Sequence, residues 1–164
     1  MGYEIERKFL VRGDYKSHSF KSFPIKQGYL SVSGLSVIRV RVRGNEAFIT
    51  VKSASKDGAI RRHEWEYAIP VEDAVEMLGL CENTVVEKTR HLVEYGGHTF
   101  EVDEFHGDNQ GLVIAEIELE DEDEPFERPG WLGEEVTGQV RYYNSYLSRH
   151  PYKEWTEGRI NPPR

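Results

Sequence analysis

The 164-residue chain has little cysteine, no long apolar run and no excess of positive charge, and each shortage excludes a class of protein. Cys81 is the only cysteine, so an intrachain disulfide and a cysteine zinc cluster are excluded, and a reducing compartment is expected. No apolar segment approaches the roughly 20 residues of a membrane span. The charged N-terminal stretch lacks a signal-peptide pattern. We therefore expect a cytoplasmic protein with no membrane partner.

The formal net charge is −8, which argues against a general nucleic-acid partner, because contacts to phosphate backbones need a basic surface. The length fits one domain with a sizeable core. We expect a single domain over residues 1–150, followed by a loosely packed C-terminal tail over 151–164. No internal repeat or low-complexity tract divides the chain.

Alternation of charged and apolar residues predicts a mainly β protein with some helix, of the α+β class. The apolar positions repeat every second residue, and Gly44-Asn45 and Gly96-Gly97 mark tight turns between strands. Helical spacing appears over 71–80 and 140–150, and 126–133 is expected to be irregular, anchored by Trp131 and Leu132. The eight predicted strands cover residues 3–11, 25–33, 37–43, 47–54, 60–69, 84–95, 99–106 and 112–120.

Charges of one sign are grouped on single strand faces. Arg39, Arg41 and Arg43 share a face of the third strand, and Glu116 and Glu118 share a face of the eighth. The commonest explanation of such alternation is a sheet with one buried and one solvated face. Like charges at i and i+2 repel, however, and a ligand or metal would offset that cost. Eight strands can also close a barrel. Helices outside it would cover the apolar rows and leave the charged rows lining a tunnel.

Such a tunnel would suit a polyphosphate bridged by divalent cations. Arginine matches phosphate oxygens with a planar fork, and lysine acts as a compact point charge. Carboxylates from two strands suit Mg²⁺ or Mn²⁺. Glu64 and Glu66, and also Asp103, could hold a second ion or position an attacking water. The candidate phosphate-binding residues are Lys8, Arg39, Arg41, Lys52, Lys88 and Arg90, and the candidate metal ligands are Glu4, Glu6, Asp103, Glu116 and Glu118.

The N-terminal Glu4-Ile5-Glu6-Arg7-Lys8 is an E-x-E-x-K motif, and it is followed in order by R-x-R, K, E-x-E, K-x-R and E-x-E. The series covers roughly residues 1–150 and resembles the CYTH superfamily, the triphosphate tunnel metalloenzymes. The resemblance implies a closed eight-stranded antiparallel tunnel with a divalent metal cofactor. It implies metal binding by Glu4, Glu6 and Glu118, with Glu116 close by, and phosphate binding by the six bases. Tyr29 matches a tunnel-facing tyrosine of compact bacterial members.

The leading hypothesis is a metal-dependent inorganic triphosphatase with a small-molecule triphosphate as substrate, in a monomer or homodimer. Lys8, Tyr29, Lys88, Arg90, Glu64 and Glu66 are the candidate catalytic residues. Hydrolysis of nucleoside or thiamine triphosphates and an adenylate cyclase activity are related alternatives. A non-catalytic polyphosphate-binding module is an alternative of another class. It would keep the basic rows but would not need the acids, so the presence of both favours an enzyme.

Overall fold

The computed structural model describes the backbone of residues 2–33, 35–53 and 61–155, with side chains from residue 5 onward and, after the second gap, from residue 63. This part of the chain is mainly β, with one sheet of nine antiparallel strands and two α-helices. The helices are α1 (Val71–Leu78) and α2 (Asn144–Arg149). The strands are β1 (Gly2–Val11), β2 (Ser19–Val32), β3 (Ser36–Arg43), β4 (Glu46–Ser53), β5 (Arg61–Ile69), β6 (Val86–Tyr95), β7 (His98–Phe105), β8 (Val113–Leu119) and β9 (Leu132–Glu135).

The sheet order is β5-β4-β3-β2-β6-β7-β8-β1-β9, and β1 also pairs with β5. Tyr3 lies opposite His63 in that additional pairing, while Glu6 lies opposite Glu118 between β1 and β8. The N-terminal strand therefore contacts strands from both halves of the chain. This position explains how residues near the N-terminus meet acids more than a hundred residues away.

The two tight turns predicted at Gly44-Asn45 and Gly96-Gly97 are confirmed. Gly44 has φ +62° and joins β3 to β4, with Arg43 paired to Glu46. Gly96 and Gly97 have φ +60° and +83° and join β6 to β7. Positive φ favours glycine, which has no Cβ. These hairpins fix the registers that place alternate side chains on a shared face.

Helix α1 packs against the outer apolar face of β3 and β4, as expected. Ala74 is fully buried in a cluster with Val40 and Ala47. Burial of this face contributes stability roughly in proportion to apolar area, at about 25 cal/mol per Å². Because that row is covered from outside, the alternate residues of β3 point away from the helix.

The expectation that all helical segments lie outside the sheet is wrong for α2. Leu147 of α2 is fully buried with Val86, Phe105 and Ile114. Phe105 is the register partner of Lys88, so these apolar residues lie on the same strand faces as the charged rows. The predicted helix 140–150 is also interrupted. A 3₁₀ turn at Val140–Tyr142 is separated from α2 by Tyr143, which has extended backbone angles.

Two regions near the C-terminus are more ordered than predicted. The segment expected to be irregular contains the start of β9, in which Leu132 pairs with Val11 of β1. The first residues of the expected loose tail are packed, since Trp155 makes edge contacts with Tyr142 and Tyr152. The local alternation of β9 was too short to be detected, and long-range packing fixes both segments. No helix among residues 2–33, 35–53 and 61–155 is long and apolar enough to cross a bilayer.

Candidate active site

A cavity of about 190 Å³ lies on the charged face of the sheet. It receives side chains from eight strands and from the start of α2, because the strand registers turn alternate residues toward one space. Most of its lining residues are charged, whereas small-molecule pockets are usually lined by apolar side chains. The lining residues are Glu6, Lys8, Tyr29, Val37, Arg39, Arg41, Arg43, Lys52, Glu64, Glu66, Lys88, Arg90, Glu101, Glu116, Glu118, Tyr143, Asn144 and Ser145.

All six predicted phosphate-binding bases line this one cavity. Lys88 is 2 % exposed, and Lys8, Arg39 and Arg90 are each 6 % exposed. These cations are withdrawn from bulk water, so the alternative of a solvated charged face is wrong. Burying charge is costly unless it is paired or meets a ligand, so the partners of each cation are informative.

Lys88, Arg90 and Asp103 form the most deeply buried charge network. Asp103 Oδ2 lies 2.7 Å from Lys88 Nζ, and the carboxylate also accepts two hydrogen bonds from Arg90, at 2.8 and 2.9 Å. Arg90 Nη1 continues to Glu101 at 3.2 Å. Both oxygens of Asp103 are therefore occupied by cations. Asp103 was predicted as a metal ligand, and the structure places it beneath the cavity lining, between the two bases.

The pKa values of this network follow from burial and from the balance of charge. Burial lowers the pKa of Lys88 to about 7, with Asp103 opposing the shift and Arg90 and Arg41 adding to it. Its ammonium also lies 5.4 Å from the centre of the Phe105 ring, at the apolar end of the interior. Burial alone would raise the pKa of Asp103, but Arg90 and Lys88 lower it to about 2. At neutral pH the acid is ionised, and the lysine can exchange a proton.

Strands β1 and β8 bring carboxylates together on the opposite wall. Glu6 and Glu118 are register partners, as are Lys8 and Glu116, whose Nζ and Oε2 lie 2.7 Å apart. Burial would raise the pKa of Glu116, but Lys8, Arg90 and Lys88 hold it well below its usual range. Glu4 precedes Glu6 by two residues on β1, but its side chain lies outside the described residues.

The donor set on this wall suits a hard divalent cation. Glu6, Glu116 and Glu118 all line the cavity and supply only carboxylate oxygens, the ligands that Mg²⁺ and Mn²⁺ prefer. Among the side chains that the structure describes, no three acids, histidines or cysteines are grouped closely enough to hold an ion. The fit to a metal therefore rests on the type of donor, and Glu4 belongs to the same face of β1 as Glu6.

Strands β3, β4 and β5 supply the third wall. Arg39 Nη2 donates to Thr50 Oγ1 at 3.2 Å, and that hydroxyl donates to Glu66 at 3.1 Å. Lys52 and Glu64, which are register partners, lie 3.9 Å apart. Arg39 Nε is buried and makes no hydrogen bond to any described residue.

Arg41 and Tyr29 meet through Gln27, a residue that the sequence did not mark as functional. Gln27 is fully buried; its Oε1 accepts from Arg41 Nε at 2.9 Å, and its Nε2 donates to Tyr29 Oη at 3.1 Å. Burial lowers the pKa of Arg41 to about 9, with Arg39 and Arg90 adding to the shift. An uncharged residue on a strand face without charges carries little signal in a sequence. Its position two residues before Tyr29, on the same face of β2, was the available clue.

Other lining residues were also missed. Glu101 lies on the same face of β7 as Asp103, so alternation alone could have identified it. Tyr143 and Asn144 enter the cavity from the interrupted C-terminal helical segment, where Asn144 accepts a hydrogen bond from Lys88 Nζ at 3.0 Å. Nothing local in the sequence indicates this approach. Arg7 instead contacts Glu135 of β9 and does not line the cavity, as its alternate position on β1 requires.

The chain matches one protein family and is similar to two named enzymes. The sequence model of the CYTH domain family matches residues 2–149. An inorganic triphosphatase of Acetivibrio thermocellus is 49% identical over 158 residues, which cover 96% of this chain and all of that protein. An inorganic triphosphatase of Nitrosomonas europaea is 38% identical, over 88% of this chain and 96% of that protein.

Solved structures are also similar to this chain. The crystal structure of an inorganic triphosphatase superposes with a TM-score of 0.66 and 36% identity, covering 90% of this chain and 95% of that one. A structure from Pyrococcus furiosus, at 20% identity and a TM-score of 0.56, shares the fold.

Proposed function

Because this chain belongs to the CYTH domain family, we propose that it is a metal-dependent hydrolase of inorganic triphosphate. The observation that carries the proposal is the convergence of six buried or half-buried cations on one small cavity. The names of the two similar triphosphatases support the same substrate. An almost wholly ionic lining favours a ligand that is charged along its entire length, as inorganic triphosphate is.

We infer that the eight strands β1 to β8 close into a tunnel around the substrate. The pairing of β1 with β5 supports this, because it links the two ends of the β5-to-β1 order. Within the tunnel, Arg39 and Arg41 would bind phosphate oxygens through the terminal nitrogens of their guanidinium groups, since both residues line the cavity. Lys8 and Lys52 would bind the remaining oxygens as point charges.

Glu6 and Glu118, with Glu116 and the Glu4 of the family motif, would hold the divalent ion. When bound, that ion would neutralise phosphate oxygens and lower the pKa of a water ligand. Asp103 would instead position Lys88 and Arg90, because both of its oxygens already accept from those residues. Lys8, Arg90 and Lys88 keep Glu116 ionised, and its oxygen other than Oε2, which bonds to Lys8, would bind the ion.

In the hydrolysis, a water oxygen bonds to a terminal phosphorus and the bridging P–O bond breaks, giving orthophosphate and pyrophosphate. Phosphoryl transfer depends mainly on positioning and charge stabilisation. Arg90 would stabilise the growing negative charge, and Lys88, with a pKa of about 7, would give its proton to the leaving oxygen. Glu64 or Glu66 would accept the proton of the attacking water.

Release of phosphate from tripolyphosphate in the presence of Mg²⁺ or Mn²⁺ tests the proposal. Purified protein should release one orthophosphate per tripolyphosphate and leave pyrophosphate. EDTA should stop the reaction. Failure to release phosphate with either metal would overturn the proposal, and faster release from ATP or thiamine triphosphate would change the substrate.

A further inference from the structure

We propose that Gln27 is a positioning residue that orients Arg41 and Tyr29 for the polyanion while leaving the positive charge of Arg41 uncompensated. The inference rests on the proposed triphosphatase function and concerns the same cavity. Gln27 is a fully buried amide whose two polar atoms both bond to side chains of the cavity lining. A buried amide with no such task would cost free energy relative to an apolar residue.

Arg41 differs from the other buried bases in its partner. Lys8 pairs with Glu116, Lys88 and Arg90 pair with Asp103, and Arg39 lies 3.8 Å from a carboxylate oxygen of Glu66. The Nε of Arg41 is held by a neutral carbonyl oxygen, and no described carboxylate lies within 4 Å of its guanidinium. The charges that act on Arg41 include Arg39 and Arg90, which share its sign, and the carboxylate of Asp103, which is already bonded to Lys88 and Arg90. Arg41 is therefore fixed in position without being neutralised.

The geometry of this contact favours a defined fork. Gln27 and Arg41 are register partners on β2 and β3, and Tyr29 and Arg39 are the next pair on the same face. Binding at Nε leaves the two terminal nitrogens of Arg41 directed away from the amide, where a planar fork can meet two phosphate oxygens. The amide nitrogen in turn donates to Tyr29 Oη, which lines the cavity.

The backbone that carries Gln27 is held from outside. An ideal Cβ on Gly28 would lie 2.7 Å from Sγ of Cys81 and 3.1 Å from a methyl carbon of Leu78. Only glycine permits this close approach of the end of α1 to β2. The strand cannot shift outward at this point, so the position of the Gln27 amide is fixed by packing.

A carboxylate at position 27 would have a different effect. Glutamate has nearly the same shape and would accept the same hydrogen bond, but it would neutralise Arg41 and repel a polyanion. If Gln27 only filled space, Gln27→Glu, which keeps its shape, would bind substrate at least as well as Gln27→Met. A charge-preserving role would make Gln27→Glu more damaging to substrate binding than Gln27→Met.

The test is calorimetric binding of tripolyphosphate in EDTA, together with steady-state hydrolysis in Mg²⁺. Loss of one hydrogen bond to a charged group corresponds to about a tenfold change. Gln27→Met should therefore weaken metal-free binding by about tenfold and raise KM by more than it lowers kcat, and Gln27→Glu should weaken binding further. Gln110→Met and Gln110→Glu, at an exposed loop position, should match the wild type.

A double-mutant cycle separates positioning from structure. In an Arg41→Met background, which has no side-chain donor, Gln27→Met should weaken binding by less than about twofold, because the donor to Gln27 Oε1 is already gone. Thermal unfolding checks the fold of each variant, and Gln27→Asn replaces Gln27→Met if the latter does not fold. Asparagine keeps an amide but withdraws it from Arg41, so the same weakening is expected.

Each outcome is decisive. If folded Gln27→Met or Gln27→Asn binds and hydrolyses tripolyphosphate like the wild type, the inference about Gln27 fails and the proposed function stands. Additive losses in the Arg41→Met background would also overturn it. If the wild-type protein neither binds nor hydrolyses tripolyphosphate, the proposed function itself fails.

Discussion

Lys88 Nζ lies 2.7 Å from Asp103 Oδ2, and both side chains are almost completely withdrawn from solvent. The pair lies where the apolar end of the interior, with Phe105, meets the charged cavity. Asp103 also accepts hydrogen bonds from Arg90, so its negative charge is shared and does not fully neutralise Lys88. A lysine with a pKa of about 7 in a cavity lined by charged side chains follows from this arrangement and leads to the first prediction.

Replacement of Lys88 should change the pH dependence of hydrolysis. If its ammonium gives a proton to the leaving oxygen, kcat/KM of the wild type should fall as pH rises through about 7, since kcat/KM reports groups of the free enzyme. Lys88→Met should lower kcat by about 100-fold or more and abolish that limb. Lys26→Met, at an exposed position of β2, is the matched control and should keep the wild-type profile. A retained limb in Lys88→Met would assign the proton to another group.

Asp103 should make the free energy of unfolding depend on pH in the acidic range. Its pKa is about 2 in the folded state against a reference of 3.8, so the unfolded chain takes up its proton first as pH falls. The stabilisation is present above pH 4 and is lost toward pH 2, with about 1 kcal/mol lost between pH 6 and pH 3. Asp103→Asn removes this pH dependence. It also leaves Lys88 and Arg90 without their carboxylate partner, which should lower the free energy of unfolding by about 3 kcal/mol at pH 7.

Urea unfolding of both proteins at pH 7, 4 and 3 measures these changes. The difference in free energy of unfolding between wild type and Asp103→Asn should shrink as pH falls. Asp108→Asn, which affects an exposed pair with Lys153, should behave like the wild type. A difference that is constant with pH would show that Asp103 does not hold a low pKa in the folded state.

Substitution of the carboxylates on β1 and β8 should weaken metal binding rather than substrate binding. Glu118→Gln takes one carboxylate from the wall shared with Glu6, its register partner. Loss of an ionic ligand should weaken Mn²⁺ binding by about tenfold to 100-fold and lower the rate at fixed metal. Binding of tripolyphosphate in EDTA should persist or become tighter, because a negative charge has left the cavity.

Mn²⁺ titration followed by electron paramagnetic resonance measures this directly. Glu120→Gln, just beyond the end of β8 and exposed, provides the control and should keep wild-type Mn²⁺ affinity. Unchanged Mn²⁺ affinity in both Glu118→Gln and Glu6→Gln would remove these residues from the metal site.

The ion pair of Arg7 with Glu135 should affect stability without affecting catalysis. Arg7 donates from Nε and Nη2 to the two carboxylate oxygens at 2.8 and 2.7 Å, joining β9 to β1 outside the cavity. The hydrogen bonds from Arg7 lower the pKa of Glu135. The pair is partly exposed, so Arg7→Met should lower the free energy of unfolding by only about 1 kcal/mol. The KM for tripolyphosphate should be that of the wild type, and a tenfold rise would place Arg7 in the site.

The strands and the composition of the site could be predicted from the sequence because both depend on local alternation. Arg39 and Arg41 share a face through the two-residue period alone, and the positive φ of Gly44 follows from its turn. The short β9 gave no such signal, because four residues form a strand only when β1 is present as a partner. The inward approach of α2 was missed for the same reason: Leu147 finds its apolar neighbours on three distant strands.

The sequence by itself determined which side chains share a face, since backbone geometry makes that a matter of counting residues. It also determined the family, through the ordered series that begins with Glu4-Ile5-Glu6-Arg7-Lys8. Only the tertiary structure decided which charges meet. Asp103, expected beside a metal, lies between Lys88 and Arg90, and the neutral Gln27 holds Arg41. Such pairings depend on register and depth, which set the distances and the local dielectric, and these arise only when distant strands pack together.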